Sequence, residues 1–399
     1  YADVEGLTVC KLCPKGRYQN NPEKSSCNIC QAGYFSSVEG SSSCTACVQG
    51  MFINVAEQTT CHKCPKGYYS TTEGSTACIA TNIGYYSSIE GANSQAAVPT
   101  GHYQDVTGQG DYLPCPLGRY NSYTSRSSCE KCPLGYYTNI QGSTACSQCS
   151  TGQFQDSLEQ NACKKCPEGY YQNYAAKPSC VPCPANQYNA LEGQSSCQHT
   201  PTGHYQDSIG QKSYRPCYNG TYQNYAGRAS CVECPVGTFQ NKPGQSGIMA
   251  CPTGWFNDAP QQVKCRICPE GYYQNFAGTS VCVKCSVGYR KDSQGASVCT
   301  AVAAGHFQDQ EGQTAQIACP RGRNQYHAGR SSCTVCGAGY YGDTVSSKIC
   351  SACNTGHYQD QAEQIRCKEC PLGFHQHQPG RAACIACPAG RYGGSTKLY

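Results

Sequence analysis

The apolar residues of this chain never settle into the i, i+3, i+4 spacing of a helix face. Large side chains come one at a time instead. Aromatic residues stand at Tyr18, Phe35, Phe52 and Tyr69 and recur every 17 residues, separated by runs of Gly, Pro, Ser, Asn and Gln. Each sits in a brief stretch resembling Tyr-Gln-Asn, which the β-propensity of its aromatic favours as extended. Just ahead, Pro after Cys and Gly two residues further on set a tight turn, as in Cys13-Pro14-Lys15-Gly16. The pattern predicts a short strand, a turn and a return strand in every repeat. It predicts no helix of useful length.

Cysteine fixes the frame. Steps of 17 from Cys13 meet Cys30, Cys47 and Cys64, then Thr81 and Val98, then Cys115, Cys132, Cys149, Cys166 and Cys183. Thr200 and later Val302 interrupt a second run that ends at Cys387, and the lattice never slips over about 23 repeats. With the lattice residue as position 0, position 3 is Gly in every repeat except at Asn186, and position 14 carries a second Cys. A repeat of this size cannot bury a core alone, so it needs a cross-link and a stacked neighbour. The expected fold is small, disulfide-rich and all-β: an elongated, solenoid-like rod of 17-residue β-hairpin units. It runs as one array over residues 1–399, with partial units at 1–10 and 387–399.

The interruptions carry the pairing. Where position 0 loses its Cys, position 14 loses its own: Thr81 with Gln95, Val98 with Tyr112, Thr200 with Tyr214, Val302 with Gln316. Residues lost together were bonded together. The expected bonds are Cys13–Cys27, Cys30–Cys44, Cys47–Cys61, Cys64–Cys78, Cys115–Cys129, Cys132–Cys146, Cys149–Cys163, Cys166–Cys180 and Cys183–Cys197. They continue as Cys217–Cys231, Cys251–Cys265, Cys268–Cys282, Cys285–Cys299, Cys319–Cys333, Cys336–Cys350, Cys353–Cys367 and Cys370–Cys384. Cys10, Cys234 and Cys387 are left unpaired or free for intermolecular bonds; Cys234 faces Ile248. Each bond closes a loop of about 15 residues, worth roughly 3 kcal/mol by chain entropy. One buried Tyr supplies roughly 1.5–3 kcal/mol, so disulfides rank first and aromatic stacking second. A four-cysteine zinc site has similar spacing, but it would lose ligands four at a time.

Composition agrees. With 37 Cys in 399 residues, 14% charged residues and mean hydropathy of -0.56, the chain has disulfide-scaffold density and no large apolar core. Such cysteines stay oxidised outside the cytosol, which places the protein outside the cell or on its surface. Net charge is only +5 and dispersed, unlike a nucleic-acid footprint, and no apolar run is long enough to span a membrane. Without an initiator Met or a signal peptide, the chain reads as a mature or internal piece whose array continues past one or both ends. No Ser/His/Asp or Cys/His constellation and no phosphate loop points to catalysis, and no cofactor is implied. Asn219-Gly220-Thr221 is the single N-glycosylation sequon.

The run Cys-Pro-x-Gly-x-Tyr followed by Ser-Ser-Cys-x-x-Cys resembles the ephrin-receptor-like cysteine-rich repeat, a relative of receptor modules of tumour-necrosis-factor-receptor and EGF type. The resemblance implies short hairpins, the disulfide pattern above and an extended extracellular stalk without catalytic residues. Similar arrays occur in surface and flagellar-hair proteins of algae and other protists. The strict period suggests that register matters, as in a filament that associates with copies of itself and carries glycans. The rival reading is the stalk of a receptor or adhesin whose binding domain lies elsewhere.

A longer period is superimposed. Every third repeat reads Gly-His-Tyr-Gln-Asp or a variant, as at Gly101–Asp105, Gly203–Asp207, Gly305–Asp309 and Gly356–Asp360, with Gln four residues on. The next repeat usually has Lys or Arg at that slot, as at Lys24, Arg126, Lys177, Arg228, Arg330 and Arg381. Duplication of a three-repeat block would leave this mark. The functional expectation is that three repeats make one superhelical turn, so that complementary His/Asp/Gln and Arg/Lys stripes drive assembly. The recurring His102, His204, His306 and His357 are expected as exposed edge residues, ahead of a metal or pH-sensing role.

Overall fold

The structure, a computed structural model, describes residues 1–6 and 8–394; the expected partial unit at 387–399 therefore falls partly outside the described residues. It divides into two compact bodies. One comprises Tyr1–Pro184, Tyr188–Gln198 and Ile209–Ser213; the other comprises Ala185–Gln187, His199–Ser208 and the described residues from Tyr214 onward. No described helix is long and apolar enough to cross a membrane. The described elements are two-residue strands, such as Arg119–Tyr120 and Glu130–Lys131, paired two by two in antiparallel hairpins.

The repeat at Cys115 shows how sequence makes the unit. The Arg119 N–H donates to the Pro116 carbonyl at 3.1 Å, closing a turn with Gly118 third, where φ is +77°. A type II turn demands positive φ there, which Gly adopts freely. Arg119 then faces Lys131, and Tyr120 faces Glu130. The Cys132 N–H returns to the Gly118 carbonyl at 2.9 Å. Two-residue strands are far too short to persist alone, so backbone bonds to the next repeat complete them. The N–H groups of Gly118 and Asn121 donate to the Thr138 and Ser143 carbonyls, and the Gly142 N–H donates back to Cys115. The second body repeats the scheme: Gly254 to Gln274, Asn257 to Thr279, Gly278 to Cys251.

Among the described residues there are seventeen disulfides, each joining position 0 to position 14, from Cys13–Cys27 through Cys370–Cys384. Position 0 is the buried column. Cys30, Cys47, Cys64, Cys115 and Cys132 are inaccessible to solvent, and so are Thr81, Val98, Thr200 and Val302 in the same slot. Position 5 departs from expectation. Its aromatics, Tyr120, Tyr137 and Phe154 among them, are only half-buried, and the described ring contacts do not run from one of them to the next. The second buried column is polar, at position 6: Gln104, Asn121, Thr138, Gln155, Gln172 and Asn189 in succession.

Candidate functional site

Position 6 locks the loop. Gln172 Nε2 donates to the Ser179 carbonyl at 2.7 Å, and its Oε1 accepts from the Tyr174 N–H at 3.1 Å. Gln104, Gln155, Gln223, Gln274, Gln308 and Gln359 make the same two bonds. A primary amide carries a donor and an acceptor side by side, so one side chain satisfies two backbone groups of a loop with no strand partner. Asn121 and Asn257, shorter by one methylene, reach back instead to the carbonyls of His102 and Thr238. In sequence these residues resemble surface polars. Their recurrence at a single position beside the aromatic was the available signal. Gln172→Leu is expected to cost about 1–2 kcal/mol, since it removes both side-chain bonds to the loop backbone. Faster hydrogen exchange at the Tyr174 amide, with unchanged exchange at distant repeats, checks this.

A second device links some repeats to the next but one. Position 10 has positive φ throughout, in glycines such as Gly142 and also in Glu57 (64°), Ser125 (60°), Glu159 (63°) and Glu363 (64°). Side chains are rare in that region. Glu57, Glu159 and Glu363 pair with Arg17, Arg119 and Arg323, position 4 two repeats earlier. Lys131 adds a second cation at 3.0 Å from Glu159. Arg119, then Lys131, holds the Glu159 carboxyl down to about 2. A depressed carboxyl contributes stability above its ordinary pKa and loses it as pH falls through the folded value. The clasp's contribution is therefore full above about pH 4.5 and is lost progressively down to about pH 2. Carbon-detected titration of Glu159 is expected near 2, moving toward the usual glutamate value in Arg119→Gln.

The long-period residues are engaged inside their own repeats. Asp156, Asp258 and Asp360 of the Gly-His-type motif bond Lys164, Arg266 and Lys368 at 2.6, 2.9 and 2.6 Å. These cations lie 5.9, 5.6 and 6.0 Å from the rings of Phe154, Phe256 and Tyr358. Lys164 and Lys368 hold the Asp156 and Asp360 carboxyls below the usual range. The following Gln bonds its own loop, as in Gln160 to Leu158 and Gln211 to Ile209. Arg126, Lys177 and Arg228 lie over Tyr123, Tyr174 and Tyr225. These members of the expected stripes are thus engaged within their own repeats, and the described cross-repeat bonds join first and second neighbours. His102, His204 and His357 set Nδ1 at 3.0, 3.0 and 3.2 Å from the carbonyls of Thr100, Thr202 and Thr355. Among the described residues no group of three His, Cys, Asp or Glu side chains converges as metal ligands.

The remaining candidates separate. Cys10 is exposed, Cys387 half-buried and Cys234 buried, all three as free thiols. Burial pushes the Cys234 thiol up, away from the reactive thiolate. Asn219 is exposed beside the turn glycine Gly220. Where disulfides are missing, other contacts fill the gap. Gln95 and Gln316 accept from the N–H groups of Asn82 and Ala303. Tyr112 sets its ring 4.8 Å from both Tyr86 and His102, and His204 lies 4.7 Å from Tyr214. Large apolar side chains crown the loop tips at position 8: Val38, Ile89, Tyr123, Ile140, Tyr174, Leu191, Tyr225 and Phe276 are all well exposed.

Eleven windows of the sequence match one family profile, described as tyrosine-protein kinase ephrin type A/B receptor-like. They are residues 1–47, 50–97, 118–159, 135–177, 152–190, 169–217, 210–251, 220–261, 254–299, 339–381 and 356–397. The intervening stretches contain the disulfide-free repeats at Val98 and Val302. No curated protein matches the chain.

Proposed function

This chain belongs to the ephrin-receptor-like cysteine-rich repeat family, and from that premise we propose that it is a structural subunit of an extracellular filament, such as a surface fibril or flagellar hair. The family and its disulfides make it an extracellular repeat protein. What carries the finer reading is the crown of loop-tip side chains, with Ile140 66%, Tyr174 63% and Leu191 65% exposed. A monomer seldom leaves such side chains uncovered in series, and a row of them serves contact between copies. The array supplies a fixed register, because first and second neighbours are both bonded.

A second reading, the stalk of a receptor or adhesin, draws on the receptor named in the family description. Sedimentation and negative-stain imaging of the purified chain separate the two. The filament reading expects concentration-dependent bundles that Ile140→Ser with Leu191→Ser shifts toward monomer by about tenfold in midpoint, roughly 1.4 kcal/mol per contact. Single molecules at all concentrations would overturn it in favour of the stalk.

A further inference from the structure

Position 1 is usually Pro in this array, and Tyr218 is the one aromatic found there. It follows directly on the Thr200 repeat, which lacks its disulfide. From that repeat Tyr205 turns toward it: the Tyr205 hydroxyl donates to the Tyr218 hydroxyl at 3.3 Å, and the ring centroids lie 6.3 Å apart. Tyr218 is 65% exposed. The two are 13 residues apart, beside the 14 that a disulfide spans elsewhere. A second tyrosine pair stands at the other gap. Tyr86 and Tyr112 have centroids 4.8 Å apart and come from the consecutive disulfide-free repeats at Thr81 and Val98. With 31 Tyr spread over the chain, each pair has at least one member on a repeat that has lost its sulfur bond.

We propose that Tyr205–Tyr218, and with it Tyr86–Tyr112, is an oxidative cross-linking site, where hydrogen peroxide and a haem peroxidase form dityrosine that ties a repeat lacking its disulfide to the next repeat. Each phenol gives up one electron and its proton. The two phenoxyl radicals join through ortho carbons, and the two ring hydrogens pass to the oxygens and restore the phenols. Peroxide takes up the two electrons and two protons and leaves as two waters. Arg215 is the cross-strand partner of Tyr205. Held pairs couple faster than tyrosines that must meet by diffusion, because the encounter entropy is already spent.

The test treats the full chain at micromolar concentration with a haem peroxidase and hydrogen peroxide, then maps peptides by mass. The expected result is dityrosine fluorescence and a 205–218 peptide lighter by two hydrogens, at least about tenfold over any peptide containing coupled Tyr123 or Tyr174. Tyr205→Phe should remove that peptide and leave the 86–112 product. So should Tyr218→Pro, which installs the residue most repeats carry at this position. Coupling dominated by exposed tyrosines of different molecules, or none at 205–218, would overturn the proposal. Filament imaging does not enter this readout, so failure of either idea is visible apart from the other.

Discussion

Replacing Cys132 and Cys146 together by serine will open their repeat to hydrogen exchange about a hundredfold more often, while repeats several units away keep their protection. The bond closes a loop of about 15 residues and is worth roughly 3 kcal/mol in chain entropy, and each 1.4 kcal/mol is a factor of about ten. Little else could absorb the loss. The hairpin is four residues of strand, Tyr136–Tyr137 against Ser147–Gln148, and the rest of the repeat is loop. The effect should stay local because each repeat touches only near neighbours, so stability adds along the array. Residue-resolved exchange on the double variant is the measurement. Unchanged protection at Tyr137 and Cys149 would show that packing, not sulfur, holds the repeat.

Gly271→Ala should be the most damaging single methyl in the second body, at roughly 3–5 kcal/mol, the upper range for one substitution. Gly271 has φ +80°, which alone costs a side chain about 1–2 kcal/mol. Its new Cβ would also fall inside the backbone carbonyl of Gly312, two repeats on, and backbone cannot rotate aside. Gly278→Ala is the control. It shares the positive φ, at +76°, yet its Cβ would meet only the Ala250 methyl at 3.6 Å. The sequence already accepts Glu, Ser, Ala and Gln at this position in other repeats. Gly278→Ala should therefore cost about 1 kcal/mol. Comparable losses in the two variants would refute the second-neighbour contact as a source of stability.

The frame was legible because a disulfide needs both ends: a repeat that loses position 0 gains nothing by keeping position 14, so the losses at Thr81/Gln95 and Val302/Gln316 mark partners. The all-β character was legible from isolated aromatics and recurrent turn glycines. Burial was not. Gln155 and Gln359 lie fully inside the fold, yet to a hydropathy pattern they look like solvated residues. Their place depends on two backbone groups in the loop, which no spacing reveals. The second-neighbour clasp was hidden for another reason. Arg119 and Glu159 are 40 residues apart, not a multiple of 17, so the period gives no hint of their meeting. The local ion pairs were hidden as well: Asp156 and Lys164 bond within one hairpin, eight residues apart, which the period of 17 does not mark.

Sulfur also decides how the molecule answers to pulling. A bonded repeat is a closed loop, so force runs through the sulfur bridge and bypasses the residues between. Only the short link to the next bridge can straighten. Between Cys78 and Cys115 no bridge intervenes, and the run Ile79–Pro114 is free to pay out. At 3.3–3.6 Å per residue its full reach is on the order of 100 Å. The longest slack therefore lies at chosen places, where the bridges are missing. A carbon–carbon bond between Tyr86 and Tyr112 would take up most of that slack, so an oxidant would set the compliance of the thread.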